Sequence, residues 1–185
     1  MNLRDESGDR PLVSAFLAAR DERAFRSLYT RHTPALYRFA LRLCGGGVSD
    51  AEEVVQDTWV SAAGALERFR WESTLRTWLN GIALNCYRQQ VRSRMRITEE
   101  LGDLAAPETE LPAVDRVDLE RALGGLAERY RMVVVLHDIE GYTHEEIGRM
   151  LGIDAGTSKS QLFRGRRRMR ELLTTPMLRN ESGNA

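Results

Sequence analysis

The sequence predicts an all-α protein: two small helical domains joined by a flexible acidic linker, the second ending in a helix-turn-helix. Three observations predict it. Apolar residues recur at three- and four-residue intervals in both halves, and no useful period-2 alternation occurs apart from the ambiguous run Met132–Leu136. An acidic stretch containing Pro107 and Pro112, without sustained apolar periodicity, separates the halves. Later in the chain a capped short helix, a Gly-containing turn and an Arg-rich helix follow one another. With 185 residues, each half has room for only a modest core. The expected boundaries are 1–96 for the first domain, 97–116 for the linker, 117–176 for the second domain and 177–185 for a disordered tail.

In the first domain Leu12, Val13, Phe16 and Leu17 form a short apolar stripe, which Phe25, Leu28 and Tyr29 continue. Thr33-Pro34 reads as an N-cap followed by proline at the first helical position, restarting a helix through Leu36, Phe39, Ala40 and Leu43. Gly45-Gly46-Gly47 ends it. Ser49 or Asp50 then caps a helix carrying Val54, Val55, Trp59 and Val60. A polar break around Arg70–Thr74 leads to a helix with Trp78, Leu79, Ile82 and Ala83 on one side.

In the second domain Leu119, Leu123 and Leu126 open one helix, and Tyr130–Ile139 forms another that Gly141 stops. Thr143-His144-Glu145-Glu146 is a capping box, in which the Thr hydroxyl and the Glu three residues on satisfy orphan N–H groups. A turn at Gly152-Ile153 follows, and Asp154 is placed to cap a last helix with Leu162, Met169 and Leu172 toward the core.

The chain carries 27 basic and 27 acidic residues, which excludes a uniformly basic coat. The charge is segregated, however. Residues 67–96 hold seven arginines against two acids, net +5; residues 97–128 are net −7; residues 147–170 are net +6. No apolar run approaches the roughly 18–20 residues of a bilayer span, and the polar start MNLRDESGDRPLVSAFLAAR lacks a signal-peptide apolar core, so a cytoplasmic protein is expected. Cys44 and Cys86 have no CxxC spacing, which argues against a zinc site or disulfide framework and favours structural thiols.

Ser158, Lys159, Gln161, Phe163 and Arg164 remain for the outer faces of the last helix. The first part of a helix-turn-helix recognition helix reaches base edges in the major groove, and later arginines, Arg164, Arg166, Arg167 and Arg168, suit phosphates. The other basic block pairs Phe69, Arg70 and Trp71 in a polar loop with Arg88 and Arg92 on the next helix. Aromatic rings beside guanidinium groups suit unstacked bases. Trp78, in phase with Ile82, is expected in the core, and Trp71 is the better candidate for touching a ligand. Taken alone, Glu52, Glu53, Gln56 and Asp57 on DAEEVVQDTWV form an ordinary solvated face.

Four ordered stretches, AFRSLYTRHTPALYRFALRL, DAEEVVQDTWV, TLRTWLNGIALNCYRQQVRSR and GYTHEEIGRMLGIDAGTSKSQLFRGRRRMREL, together resemble a sigma factor of the sigma-70 class, extracytoplasmic-function group. The resemblance implies that the first module binds core RNA polymerase at its clamp through Asp50, Glu52, Glu53, Gln56 and Asp57. It further implies that this module reads a melted −10 element with Phe69, Arg70, Trp71, Asn85, Arg88 and Arg92. The second module would read the −35 duplex with Ser158, Lys159, Ser160, Gln161, Phe163, Arg164 and Arg167 and also touch the polymerase flap. An anti-sigma factor is the further partner it implies. The chain departs from the family's usual residues at Gly81, Gln89, His144, Ser158 and Gln161.

Two rival classes explain less. A free-standing helix-turn-helix regulator accounts for the last helix but not for the Trp/Arg loop or the acidic helix. An enzyme would need a site, and His137, Asp138, His144 and Glu145 lack HExxH geometry and a third ligand across the Gly141 break. No P-loop, GxSxG or dinucleotide fingerprint occurs, so no catalysis, cofactor or metal is expected.

Overall fold

Helical periodicity of the apolar residues becomes two units, Met1–Leu111 and Pro112–Ala185, each built from helices packed on one another. The structure, a computed structural model, describes residues 6–101 and 117–174, with side chains over 8–96 and 119–174. The tail expected at 177–185 lies outside the described residues, as does 102–116 of the expected linker. No strand occurs among the described residues.

The first unit comprises α1 (Glu6–Ala19), α2 (Glu22–Leu43), α3 (Val48–Ala65), a 3-10 turn (Leu66–Arg68) and α4 (Leu75–Leu101). Leu28, Leu36, Phe39, Leu43, Val54, Leu79 and Leu84 are its almost fully buried side chains. They recur at helical spacing on α2, α3 and α4, which pack against one another. A buried polar cluster ties α1 to α2. Asp9, 2% exposed, accepts hydrogen bonds from Arg31 Nη1 at 2.6 Å and pairs with His32 Nε2 at 3.0 Å.

The structure differs from the sequence expectation at Pro34, at the start of α3 and at the end of α4. α2 runs unbroken through Pro34, and Thr33 is not a cap. Its hydroxyl accepts from Trp59 Nε1 at 3.0 Å, so packing on α3 holds the helix across the missing proline N–H. The N-cap of α3 is Gly47, without a side-chain bond, because the Asp50 carboxylate is turned to Arg94 instead. α4 continues to Leu101, so 97–101, assigned to the linker, are helical.

The second unit comprises α5 (Val117–Gly124), α6 (Glu128–Val134), a π turn (Val135–Ile139), α7 (His144–Leu151) and α8 (Ala155–Thr174). Leu123, Val133, Val135, Leu136 and Ile147 form its core, so the ambiguous run Met132–Leu136 is helical. Arg131 closes the α5–α6 corner by donating to the Gly124 and Leu126 carbonyls at 3.5 and 3.2 Å.

The expected capping box is present: Glu146 N donates to Thr143 Oγ1 at 3.2 Å and Thr143 N to Glu146 Oε2 at 2.8 Å. Gly152 ends α7 at φ 70°, a left-handed position that disfavours a side chain. Asp154 then starts α8, accepting from Thr157 N at 2.7 Å. The turn is tight enough that a Cβ on Gly148 would stand 2.7 Å from the Ile153 carbonyl oxygen. Gly148→Val therefore overpacks the turn and should destabilise the protein by about 1–3 kcal/mol. Urea unfolding followed by circular dichroism checks this, and a parent-like midpoint would contradict it.

Candidate nucleic-acid and polymerase interfaces

On α8 the buried residues are Ser158, Leu162, Gly165 and Met169. Their spacing of four, three and four residues is one helical stripe, and it decides what the opposite side can offer. Lys159, Ser160, Phe163, Arg164 and Arg167 lie exposed beyond it, and Gln161 is half-buried. Phe163 is 65% exposed, a large apolar ring in water on a recognition helix. A ring at that position can contact a thymine methyl, while Lys159 and Gln161 can hydrogen-bond base edges.

Ser158, expected to face DNA, lies inside the unit. It is 0% exposed and pairs through Oγ with His144 Nδ1 at 2.9 Å, so it cannot reach DNA. His144 of α7 and Ser158 of α8 thus face each other. A fourteen-residue separation hides that pairing in the sequence.

The arginines of α8 divide by partner. Arg166 makes a two-pronged bond to Asp138, Nε at 2.9 Å and Nη2 at 2.6 Å, which locks α8 to the π turn and holds the Asp138 carboxyl below its usual range. It is therefore a brace instead of the phosphate contact expected. Arg168 and Arg167 lie 3.0 and 3.7 Å from Glu171. Arg129 Nη2 donates to the Tyr130 hydroxyl at 3.2 Å, and Arg129 and Arg164 together hold its pKa below the usual range. Arg164, Arg167 and Arg168 line one open cleft with Tyr130 and Glu171, which concentrates positive charge alongside the helix.

In the first unit the acidic row is legible on α3. Glu52, Glu53, Gln56 and Asp57 are exposed, while Ala51, Val54, Val55, Thr58 and Trp59 are buried. Val60, expected in the apolar stripe, is 70% exposed and extends the row. Its i+4 spacing from Gln56 was the available signal. Asp50 differs from its neighbours. Both of its oxygens are held by Arg94, at 2.6 and 2.5 Å, and this bond keeps the guanidinium firmly charged. Its carboxylate therefore fastens the start of α3 to α4.

The aromatic loop is a ladder of rings. Phe69 lies 4.7 Å from Trp71 and 5.0 Å from Trp78, centre to centre. Trp78, expected in the core, is only half-buried and belongs to this ladder. Trp71 adopts φ 59°, a left-handed conformation that costs of order 1–3 kcal/mol in a residue with a side chain. The Arg10 guanidinium lies 4.9 Å from the centre of its ring. Further along α4, Asn85 and Arg92 are exposed and Arg88 half-buried. Trp78, Asn85 and Arg92 recur every seven residues, two turns or about 10.5 Å apart, on one face. Arg70 is exposed within the loop.

Of the two free thiols, Cys44 is half-buried and Cys86 is buried. Burial pushes the Cys86 thiol pKa up, which lowers its thiolate fraction. Among the described residues no group of three or more His, Cys, Asp or Glu side chains could hold a metal, and no helix is long and apolar enough to cross a membrane.

Both units are similar to known proteins. The sigma-70 region 2 model matches residues 28–97, and the sigma-70 region 4 model residues 116–169. The chain is 36% identical over 186 residues to the ECF RNA polymerase sigma factor SigE of Mycolicibacterium smegmatis, spanning 91% of this chain and 70% of the relative. It is 33% identical over 187 residues to the RNA polymerase sigma factor CnrH of Cupriavidus metallidurans, spanning 92% and 97%. The structure of the sigma factor RpoE in complex with the anti-sigma factor NepR from Bartonella quintana is similar at TM-score 0.65 and 29% identity, over 83% of this chain and 98% of that one. CnrH in complex with the cytosolic domain of CnrY is similar at TM-score 0.60 and 30% identity, over 92% and 99%.

The His144–Ser158 pair makes a pH prediction. Desolvation, then the neighbouring His137, stacked at 4.6 Å, and Lys159 hold the His144 imidazole below its usual pKa. The unfolded chain, with a pKa of about 6.5, takes up this proton before the folded one does. Stability contributed here is complete well above that value and is lost as pH falls through about 6.5 and on toward the lowered folded pKa. The thermal midpoint should therefore drop between about pH 7.5 and 5.5, and His144→Phe with Ser158→Ala should flatten the drop. An unchanged slope would contradict it.

Proposed function

The chain belongs to the sigma-70 family of RNA polymerase sigma factors, in its extracytoplasmic-function group, and from that membership we propose how its two units divide promoter recognition. The protein binds core RNA polymerase and directs promoter-specific initiation of transcription. The observation that carries the proposal is that one chain joins a duplex-reading helix to a loop suited to unstacked bases, on separate units. The two forms of DNA need different surfaces. A recognition helix fits a major groove, whereas a base outside the stack offers a π-face and an exposed backbone.

In this reading residues 117–176 recognise the −35 duplex. Asp154 and the Gly152 turn aim the start of α8 into the groove, Lys159, Ser160, Gln161 and Phe163 face base edges, and Arg164 and Arg167 meet phosphates. Residues 1–96 hold the melted −10 strand along Phe69, Arg70 and Trp71 and the Asn85, Arg88 and Arg92 face of α4. Flipping a base costs a few kcal/mol, which contacts within the polymerase complex offset, so the factor need not open DNA alone. Glu52, Glu53, Gln56, Asp57 and the exposed Val60 form the surface offered to the polymerase clamp. Asp50 serves it indirectly, by fixing the helix that carries them. Phosphodiester formation belongs to the polymerase, and this chain is assigned no catalytic step, metal or cofactor. Its place of action is the cytoplasm, with core polymerase. The similar sigma factor RpoE, solved with the anti-sigma factor NepR, supports an anti-sigma partner for this chain too.

Run-off transcription by purified core polymerase and this chain over a genomic promoter pool tests the reading. Transcripts from a defined set with shared −35 and −10 elements are expected, and failure to bind core would overturn it. Arg164→Ala should lower transcription from −35-dependent templates by about fivefold or more, the lower end for one good base or backbone contact, while core binding stays at the parent level. Glu53→Ala should weaken core binding about two- to fivefold, since single acids on a broad interface carry small shares.

A further inference from the structure

The helix α1 lies outside the stretch matched by the region 2 model, which begins at residue 28, yet it reaches the loop assigned above to the single strand. Its position is fixed. Asp9 is buried against Arg31 and His32 of α2, so the next residue, Arg10, has little freedom in where its backbone stands. From there its guanidinium lies 4.9 Å from the centre of the Trp71 ring. A tryptophan at φ 59° keeps that conformation only when its surroundings hold it. Among the described residues the Trp71 ring meets Phe69, tilted at 49°, and the Arg10 guanidinium.

We propose that Arg10 is a positioning residue for promoter opening, holding Trp71 by a cation–π contact in the left-handed loop conformation from which it engages the melted −10 strand. The inference rests on the assignment of Trp71 to that strand. A helix whose register is set by a buried carboxylate thereby extends the single-strand site by a residue from α1. Arg10 acts through Trp71 and carries no sequence information of its own.

The test is a double-mutant cycle with full-length protein reconstituted on core polymerase, using Arg10→Ala, Trp71→Ala, the double variant and Arg10→Lys. The readout is affinity for an oligonucleotide carrying the non-template −10 strand, over a range of salt concentrations. Far-ultraviolet circular dichroism confirms that each variant is folded. Arg10→Ala should weaken binding about two- to fivefold, the equivalent of one exposed cation–π contact. It should have no further effect once Trp71 is removed, and Arg10→Lys, which keeps a cation over the ring, should recover part of the loss.

Losses that add in the double variant, with a salt slope reduced by about one, would make Arg10 a direct phosphate contact and overturn the proposal. Tighter binding by Arg10→Ala would make it a competitor of the base and overturn it equally. Parent-like binding by Arg10→Ala beside an impaired Trp71→Ala would remove the brace alone. Parent-like binding by Trp71→Ala would instead overturn the single-strand assignment, and the brace's role with it.

Discussion

A single helix must both hold its unit together and meet a partner, and 3.6 residues per turn decide which side chain does which. On α8 the stripe Ser158, Leu162, Gly165 and Met169 is committed to the core. What remains exposed, and in the proposed reading meets DNA, is the complementary face with Lys159, Ser160, Phe163 and Arg164. On α3 the same arithmetic buries Ala51, Val54, Val55, Thr58 and Trp59 and leaves Glu52, Glu53, Gln56, Asp57 and Val60 outside. With cores this shallow, no layer of further structure stands between packing and function. A change on the buried stripe tilts the exposed one directly.

Polar interactions supply what the small apolar cores do not: fixed directions. The Thr143–Glu146 box fixes the start of α7, and the Asp154 cap fixes the start of α8. Arg166 pins α8 to the π turn through Asp138, and Arg94 pins the start of α3 to α4 through Asp50. These are partly exposed pairs, so each contributes modestly to stability. Their two-pronged geometry restricts orientation, which matters more for a surface that must match a groove or a partner. The segregated charge of the sequence is therefore used twice, as an external field and as internal bracing.

The fold class, the capping box, the Asp154 cap and the helix-turn-helix were legible because each is written in residues no more than four apart. So was the acidic row on α3. What stayed hidden depends on long-range pairing. Thr33-Pro34 carries a helix-start signal that packing of Thr33 on Trp59 overrides. Asp50 looks like a cap or an interface acid until Arg94, 44 residues away, claims it. Ser158 looks like a base reader until its phase on α8 and its bond to His144 place it inside. The Arg166–Asp138 and Arg10–Trp71 contacts have no local signature at all. Local chemistry thus specified which elements form, while distant partners decided which polar side chains remain available.

In the proposed reading one factor reads two physical forms of DNA with two separate units. The most direct measurement is equilibrium binding of the reconstituted polymerase complex to three DNAs: the −35 duplex alone, the single-stranded −10 segment alone, and both joined in a fork. Arg164→Ala and Arg92→Ala are compared on each. Arg164→Ala is expected to lose affinity only where the duplex is present, and Arg92→Ala only where the single strand is. Equal losses by either variant on all three DNAs would contradict it.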